Sequence, residues 1–407
     1  MGQKASARLN DQTQQAHVIT CALEAGLPAA LDQLGDTTDP ARSFMRRAWY
    51  KADTHRVTCT LLARRRDGTP ILAIPTRAIG PMVLRARAVS ASYWPYRSFP
   101  MAKDASDAEI AAFLGCAIVQ RNIGAALRIG PVYSNDPAVE RLARVARDMG
   151  WSVLTRNLGT SFVQNIAEQV EQGIWPSKSR QRKLRSYERK LRDAHGELRV
   201  AFHSGNDWNQ TVWDDLAAIE ADSWVGTKTD HSGAKFINTA SLQHWQTVAA
   251  DPVIAGRLRA TILYVADRPI SFSFDLQAGD VQYGIASSYI EEMARFSPGQ
   301  IVTSWLIDDA IARGIRQFDW GLGDNGYKRD LGAVAGPELV DLLFVRGPVL
   351  AAALKPRWEQ TTESISLALA AGLTASLGEI GRSGAVQMDR LVLPGLAFAA
   401  AAIAMGE

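Results

Sequence analysis

Cysteine is scarce in this 407-residue chain. Cys21, Cys59 and Cys116 stand far apart, in odd number and at no metal-ligand spacing. That excludes a disulfide framework and suits a reducing compartment. The six histidines form no H-E-x-x-H or comparable pattern, so no metal site is expected. No G-x-S-x-G nucleophile elbow and no Walker loop is present, which disfavours a triad hydrolase. An apolar leader is missing too: Met1-Gly2-Gln3-Lys4-Ala5-Ser6 runs into polar sequence, so no secretory signal is expected. Those residues match the M-G-x-x-x-S myristoylation pattern, but the Ala- and Arg-rich composition has a bacterial look that sets it aside. Charge of one sign is nearly balanced, with 45 basic against 42 acidic residues and a net +3. Global nucleic-acid binding, and a DNA partner in particular, therefore has little support.

What is present is apolar mass: 47% of the residues, enough for two or three ordinary domains. Residues 1–40 read as a polar N-terminal arm. The β-rich runs Arg56–Ala63 and Pro70–Pro75 flank Asp67-Gly68, a hairpin signal, and a third run follows near Met82–Val89. Ser106-Asp107-Ala108-Glu109 opens a helix expected to continue to about Gln120, and Asp136-Pro137 opens another ending at Gly150. Strands at Ala126–Ile129, Trp151–Arg156 and Thr160–Asn165 complete a mixed α/β unit over 41–165. The same order recurs over 166–346: strand Leu198–His203, helices Trp208–Ser223 and Ala240–Ala249, a hairpin around Asp267-Arg268, strand Asp280–Ser287, helix Gly299–Arg313, then strands Gln317–Trp320 and Val340–Val345. The fold class expected is α/β (α+β), two tandem mixed-sheet domains. A tail, 347–407, carries the nearly continuous apolar run Leu391–Met405. A bilayer span needs about 20 residues. This run is shorter and contains Pro394, so it reads as a helix docked on protein, on a partner or at a membrane interface.

Between the halves, over 177–194, lies a basic helix. Leu184, Tyr187 and Leu191 share one face, while Lys178, Arg182, Arg185, Arg189 and Arg192 fall opposite. Such a face is either solvated or turned to phosphate: a nucleotide donor, a tRNA or an anionic membrane. Further on, Ser297-Pro298-Gly299-Gln300 places proline and glycine at a helix start, either a capping turn or an anion site suited to pyrophosphate. Asp319 ends a strand before a glycine-rich loop that closes on Tyr327-Lys328. A carboxylate there suits deprotonating an amine, Tyr327 suits protonating a departing thiolate, and Lys328 suits an oxyanion or a phosphate. Caps and turns account equally well for Gly321, Gly323 and Gly326. Glu220 and Trp224, at a helix end, and His231, in a loop, are either surface groups or part of an acceptor site.

Taken together, Lys178–Leu191, Glu220–Trp224, Ser297-Pro298-Gly299, Asp319 and Tyr327-Lys328 resemble the CelD-like family of the GNAT acyltransferase superfamily. The resemblance spans roughly residues 40–345 and is sharpest from Leu158 to Lys328. It implies two tandem GNAT folds, the donor site in the second, and kinship with the Fem-type aminoacyl-tRNA-dependent ligases. Of the superfamily's pyrophosphate pattern, R/Q-x-x-G-x-G/A, only Gly299 is present. With the apolar tail and the basic helix, that departure points to a lipid amine or a long acyl chain. The expectation is an N-acyltransferase using acyl-CoA (acetyl-CoA or a longer chain) and an amine on an envelope sugar, lipid or peptide, without a metal. The chain is expected to be cytoplasmic, or peripheral at the inner membrane with an envelope-synthesis complex. In this reading Asp319, Tyr327, Lys328 and Glu220 are catalytic, and Tyr283, Ser297, Pro298, Gly299 and Gln300 hold the donor. Trp224, His231, Arg182 and Arg185 meet the acceptor. Aminoacyl transfer from tRNA, or a degenerate scaffold for polysaccharide or lipid synthesis, are the alternatives.

Overall fold

The computed structural model describes residues 19–51, 58–80, 85–91, 96–231, 233–323 and 326–360. Twelve strands form one sheet: β1 (Thr20–Ala25), β2 (Thr58–Arg64), β3 (Pro70–Ala78), β4 (Arg87–Val89), β5 (Ala126–Tyr133), β6 (Ser152–Asn165), β7 (Leu198–His203), β8 (Leu258–Val265), β9 (Arg268–Ala278), β10 (Val281–Tyr289), β11 (Gln317–Leu322) and β12 (Val334–Val345). The helices of eight or more residues are α1 (Ala30–Thr37), α2 (Asp107–Gly115), α3 (Pro137–Asp148), α4 (Lys178–His195), α5 (Gln210–Ala221), α6 (Thr239–Ala249), α7 (Pro298–Ala312) and α8 (Pro348–Gln360).

Local signals explain most of these elements. Asp67 accepts the Thr69 N–H at 2.9 Å and turns the β2–β3 hairpin. Ser106 and Glu109 form a capping box on α2, and Asp136 caps α3 ahead of Pro137. The helix expected to reach Gln120 instead breaks at Cys116, whose backbone is extended, and restarts as Ala117–Ile123. The strands expected at 151–156 and 160–165 join into the single strand β6, which starts at Ser152. The expected arm is, from Thr20 onward, part of the first half: β1 pairs antiparallel with β2, and α1 buries Leu31 and Leu34. Tail residues 348–360 form α8, and Leu391–Met405 lies outside the described residues.

The sheet order is β1-β2-β3-β4-β5-β12-β6-β11-β10-β9-β8-β7. Each half contributes four antiparallel strands followed by one parallel neighbour, β4 to β5 and β10 to β11. The halves then exchange their last strands. β12 of the second half lies between β5 and β6, and β6 of the first half lies between β12 and β11. The division expected after residue 165 thus falls at the end of a strand whose neighbours both come from the other half.

One buried carboxylate pins this seam. Asp341 on β12 accepts from Arg128 on β5 (2.8 Å) and from Arg156 on β6 (2.7 Å), and all three side chains are buried. Burial opposes its charge, but the two guanidiniums outweigh that and hold the Asp341 carboxyl below the usual range. Gly130 is required opposite: a Cβ there would lie 2.8 Å from Asp341 Oδ1. Trp358 of α8 lies on the Arg156 guanidinium at 4.0 Å and closes the site from outside. Asp341→Asn strands two buried cations and should cost about 3–5 kcal/mol of stability; urea denaturation of the variant beside the parent measures it.

Candidate functional site

β10 and β11 run parallel and pair only from Val281 to Tyr283 against Gln317 to Asp319. Past that point they diverge, while β10 stays paired with β9 out to Tyr289 and bulges between Gly284 and Ala286. One edge of β10 is therefore left facing a cleft of about 400 Å³. The cleft lies at the carboxyl ends of two parallel strands joined through α7, a placement that collects ligands in α/β proteins. The helix opens directly into it. Ser297 is left-handed (φ 54°), Pro298 takes the first helical position, and no side chain caps the end. At Gly299 a Cβ would lie 3.3 Å from the Tyr289 ring, so glycine lets the turn sit close to β10. An uncapped helix start of this kind favours anions.

The corresponding opening in the first half is closed. β4 and β5 pair only at Arg87–Leu127 and Ala88–Arg128. Beyond β4 the chain's own segment enters the gap, with Tyr96 bridging Val132, Met101 bridging Leu72, and Tyr96 and Phe99 buried. The start of α2 already has its anion. Despite burial, Arg65 and Ser106 pull the Glu109 carboxyl down to about 2. Among the described residues, only the second half offers an open cleft at this position.

Of the residues singled out in the sequence, Trp224, Ser297, Gly299, Gln300 and Tyr327 line the cleft, and Pro298 is buried at the helix start. Asp319 forms its apex as the last β11 residue paired with β10, but its side chain is buried behind the cleft wall. Burial pushes its carboxyl up to about 6, against the pull of the Gly321 N–H (2.7 Å), Tyr133, Lys328 and Ser161. Tyr283 turns away from the cleft and packs on Tyr96 and Tyr133 at 5.1 and 5.8 Å, beside the Arg42–Asp136 ion pair. Both halves thus supply the polar cluster behind the apex.

Other placements correct the sequence reading. Lys328 is buried, and its ammonium donates to the carbonyls of Gly321 (3.0 Å), Leu322 (2.8 Å) and Gly323 (2.9 Å), so it ties down the end of β11. Glu220 is buried and accepts from the N–H groups of Lys235, Phe236 and Ile237 at 2.6–3.0 Å, anchoring a loop instead of meeting an acceptor. The His231 ring bonds the Gly226 carbonyl at 2.8 Å and does not line the cleft. Arg182 and Arg185 are exposed along α4; the residue of that helix reaching the cleft is Arg180.

Nothing local in the sequence marks Asp275. It is fully buried on β9 opposite Gly284, and neither oxygen receives a hydrogen bond of ordinary geometry. Burial pushes its carboxyl up to about 7, although Ser273, Arg313, Arg259 and Gln282 lie near. Among the described residues no group of side chains could hold a metal ion, and no helix is long and apolar enough to cross a membrane.

Residues 178–329 match the family described as acetyltransferase (GNAT) domain. No curated protein matches the chain. Among solved structures, similar folds include the C-terminal domain of a putative lysylphosphatidylglycerol synthetase from Agrobacterium fabrum (11% identity, TM-score 0.50, 84% of this chain and 96% of that one). L-PGS from Bacillus licheniformis is comparable (11%, 0.51, 85% and 97%), as is FemX (12%, 0.51, 76% and 92%). At such identities the likeness speaks to fold.

The raised Asp275 carboxyl generates a prediction. With a folded value near 7 against an unfolded one near 4, ionisation destabilises the native state progressively from pH 4 to 7. Asp275→Asn should therefore stabilise the protein at pH 8, by up to about 4 kcal/mol, with the gain fading towards pH 4. Thermal melts at pH 5 and 8 test the sign. The two halves share one mixed-sheet architecture, and residues 178–329, in the second, match the acetyltransferase (GNAT) domain family.

Proposed function

We propose that the chain is an N-acyltransferase that binds acyl-CoA in the cleft between β10 and β11 and passes the acyl group to an amine on an envelope sugar, lipid or peptide. The observation that carries this reading is the asymmetry of the two openings: one filled by its own chain and capped by its own carboxylate, the other open and uncapped. In this scheme the pyrophosphate lies on Ser297–Gln300 and the pantetheine arm follows the free edge of β10. The thioester carbonyl reaches the bulge at Gly284–Ala286. The amine attacks that carbonyl, so a C–N bond forms and the C–S bond breaks. Asp319, its carboxyl pushed up to about 6 by burial, lies behind the cleft wall, so it receives the amine proton through an intervening water on the side of the tyrosine cluster. Tyr327, 47% exposed on the cleft wall, returns a proton to the thiolate. Lys328 acts by holding Gly321–Gly323 in place.

Aminoacyl transfer from tRNA is the second reading, favoured by α4. Of its eight lysines and arginines only Arg192 has a carboxylate partner within 4.0 Å among the described residues. The similar folds of FemX and the lysylphosphatidylglycerol synthetases support this second reading.

Thermal melts with coenzyme A, acetyl-CoA, palmitoyl-CoA and bulk tRNA decide between donors. A ligand held only by the folded state at one hundred times its dissociation constant adds about 2.7 kcal/mol. A CoA ester should raise the melting temperature, and Gly299→Asp, which sets a negative charge at the turn, should abolish the rise. If no CoA species shifts the melt at saturating concentration, the acyl-CoA reading fails. Retention of tRNA that weakens steeply with salt would then favour the second.

A further inference from the structure

Past the turn at Ser297–Gln300 the cleft runs into a second cavity of about 520 Å³. Arg180, Gln300, Asp330 and Leu331 line both spaces and form the threshold between them. Three segments supply its apolar rim, its ring face and its cations. Ile174 and Trp175 precede α4, Arg180 and Lys183 come from its first turns, and Arg329 comes from the short helix Tyr327–Asp330. Three cations from two elements thus line the cavity with one carboxylate, that of Asp330, while Asp308 also lies near Arg180.

Two of these cations, Arg180 and Lys183, are not consumed by ion pairs in the way those elsewhere in the fold are. Neither Arg180 nor Lys183 has a carboxylate within 4.0 Å among the described residues. The Arg180 guanidinium lies over the Trp175 ring at 4.6 Å and donates to the Asp330 carbonyl at 3.5 Å, while its Nε is buried without a partner. Burial lowers its pKa, the sign of a cation kept partly out of water without full compensation. Ile174, 54% exposed, offers an apolar rim beside this charge. A ring face, an apolar rim and converging cations suit a nucleoside carrying a phosphate.

We propose that this cavity is a phosphate subsite distinct from the pyrophosphate turn, and that it takes the 3′-phosphate of coenzyme A, with the adenine against Ile174 and the Arg180–Trp175 stack. The inference rests on the acyl-CoA reading and adds to it which end of the donor is recognised. The order along the groove is the order of the donor: thioester at the apex, pantetheine along β10, pyrophosphate at α7, adenosine 3′-phosphate beyond Gln300.

Coenzyme A and 3′-dephospho-coenzyme A differ by that phosphate alone, so titration calorimetry of the full chain with each provides the test. The parent protein should prefer coenzyme A by about tenfold, as expected for a charge-assisted contact. Lys183→Ala and Arg329→Ala, both at exposed positions, should weaken coenzyme A and leave the dephospho form unchanged, erasing the preference. Melting curves of the variants without ligand check that they remain folded. Equal binding of the two compounds by the parent overturns the subsite while the donor reading stands. A preference that survives both substitutions also overturns it. Binding of neither compound removes the acyl-CoA reading, and the subsite falls with it.

Discussion

The Asp341 carboxylate, shared by Arg128 and Arg156, joins the three strands on which everything else depends. β5, β12 and β6 come from alternate halves of the chain, so this contact is both the centre of the sheet and the joint between the halves. Burying three charges is expensive unless the geometry is close to ideal. Here the carboxylate sits in the irregular register between Val340 and Leu342, opposite a glycine, and Trp358 covers the pair of guanidiniums. Packing on either flank of the seam inherits its register from these strands. That includes the point where β11, held by β6, separates from β10.

The two halves share an architecture and diverge in what they do with it. In the first, Tyr96–Met101 occupies the gap beside β5 and an internal carboxylate occupies the helix start. In the second, no described segment fills the gap and no described side chain caps the helix start, and the groups behind the gap come from both sides: Arg42, Tyr96, Tyr133 and Asp136 from one, Tyr283 and Asp319 from the other. The first half has become support for the second. Its tyrosines set the surroundings of a carboxylate that its own strands do not carry.

Much of this was legible in the sequence, for reasons of range. The Asp67-Gly68 hairpin, the Ser106–Glu109 cap and the proline-led start of α7 are each decided within a few residues, and the order of elements in both halves follows from them. The strand exchange is not local, and no pattern inside Ser152–Asn165 or Val334–Val345 announces which neighbour it will take. The same limit governs the site. Glu220 and Lys328 have the residue types of catalysis, yet folding gives their charges to backbone groups that no spacing rule brings to mind. Arg180 and Arg182 differ only in which way one helix faces, a matter fixed by packing against α7. Asp275, on a strand otherwise rich in apolar and hydroxyl residues, carries no motif at all.

The exchanged strands also bear on inheritance. A chain built as two beads on a string can trade one bead for another by recombination at the linker. Here a crossover near residue 165 would deliver β6 with the old half and its partners β11 and β12 with the new, leaving each strand to pair with a stranger. The duplicated architecture therefore evolves as one unit. Changes to the open cleft have to arrive as substitutions and loop insertions within it, never as the wholesale import of a foreign half.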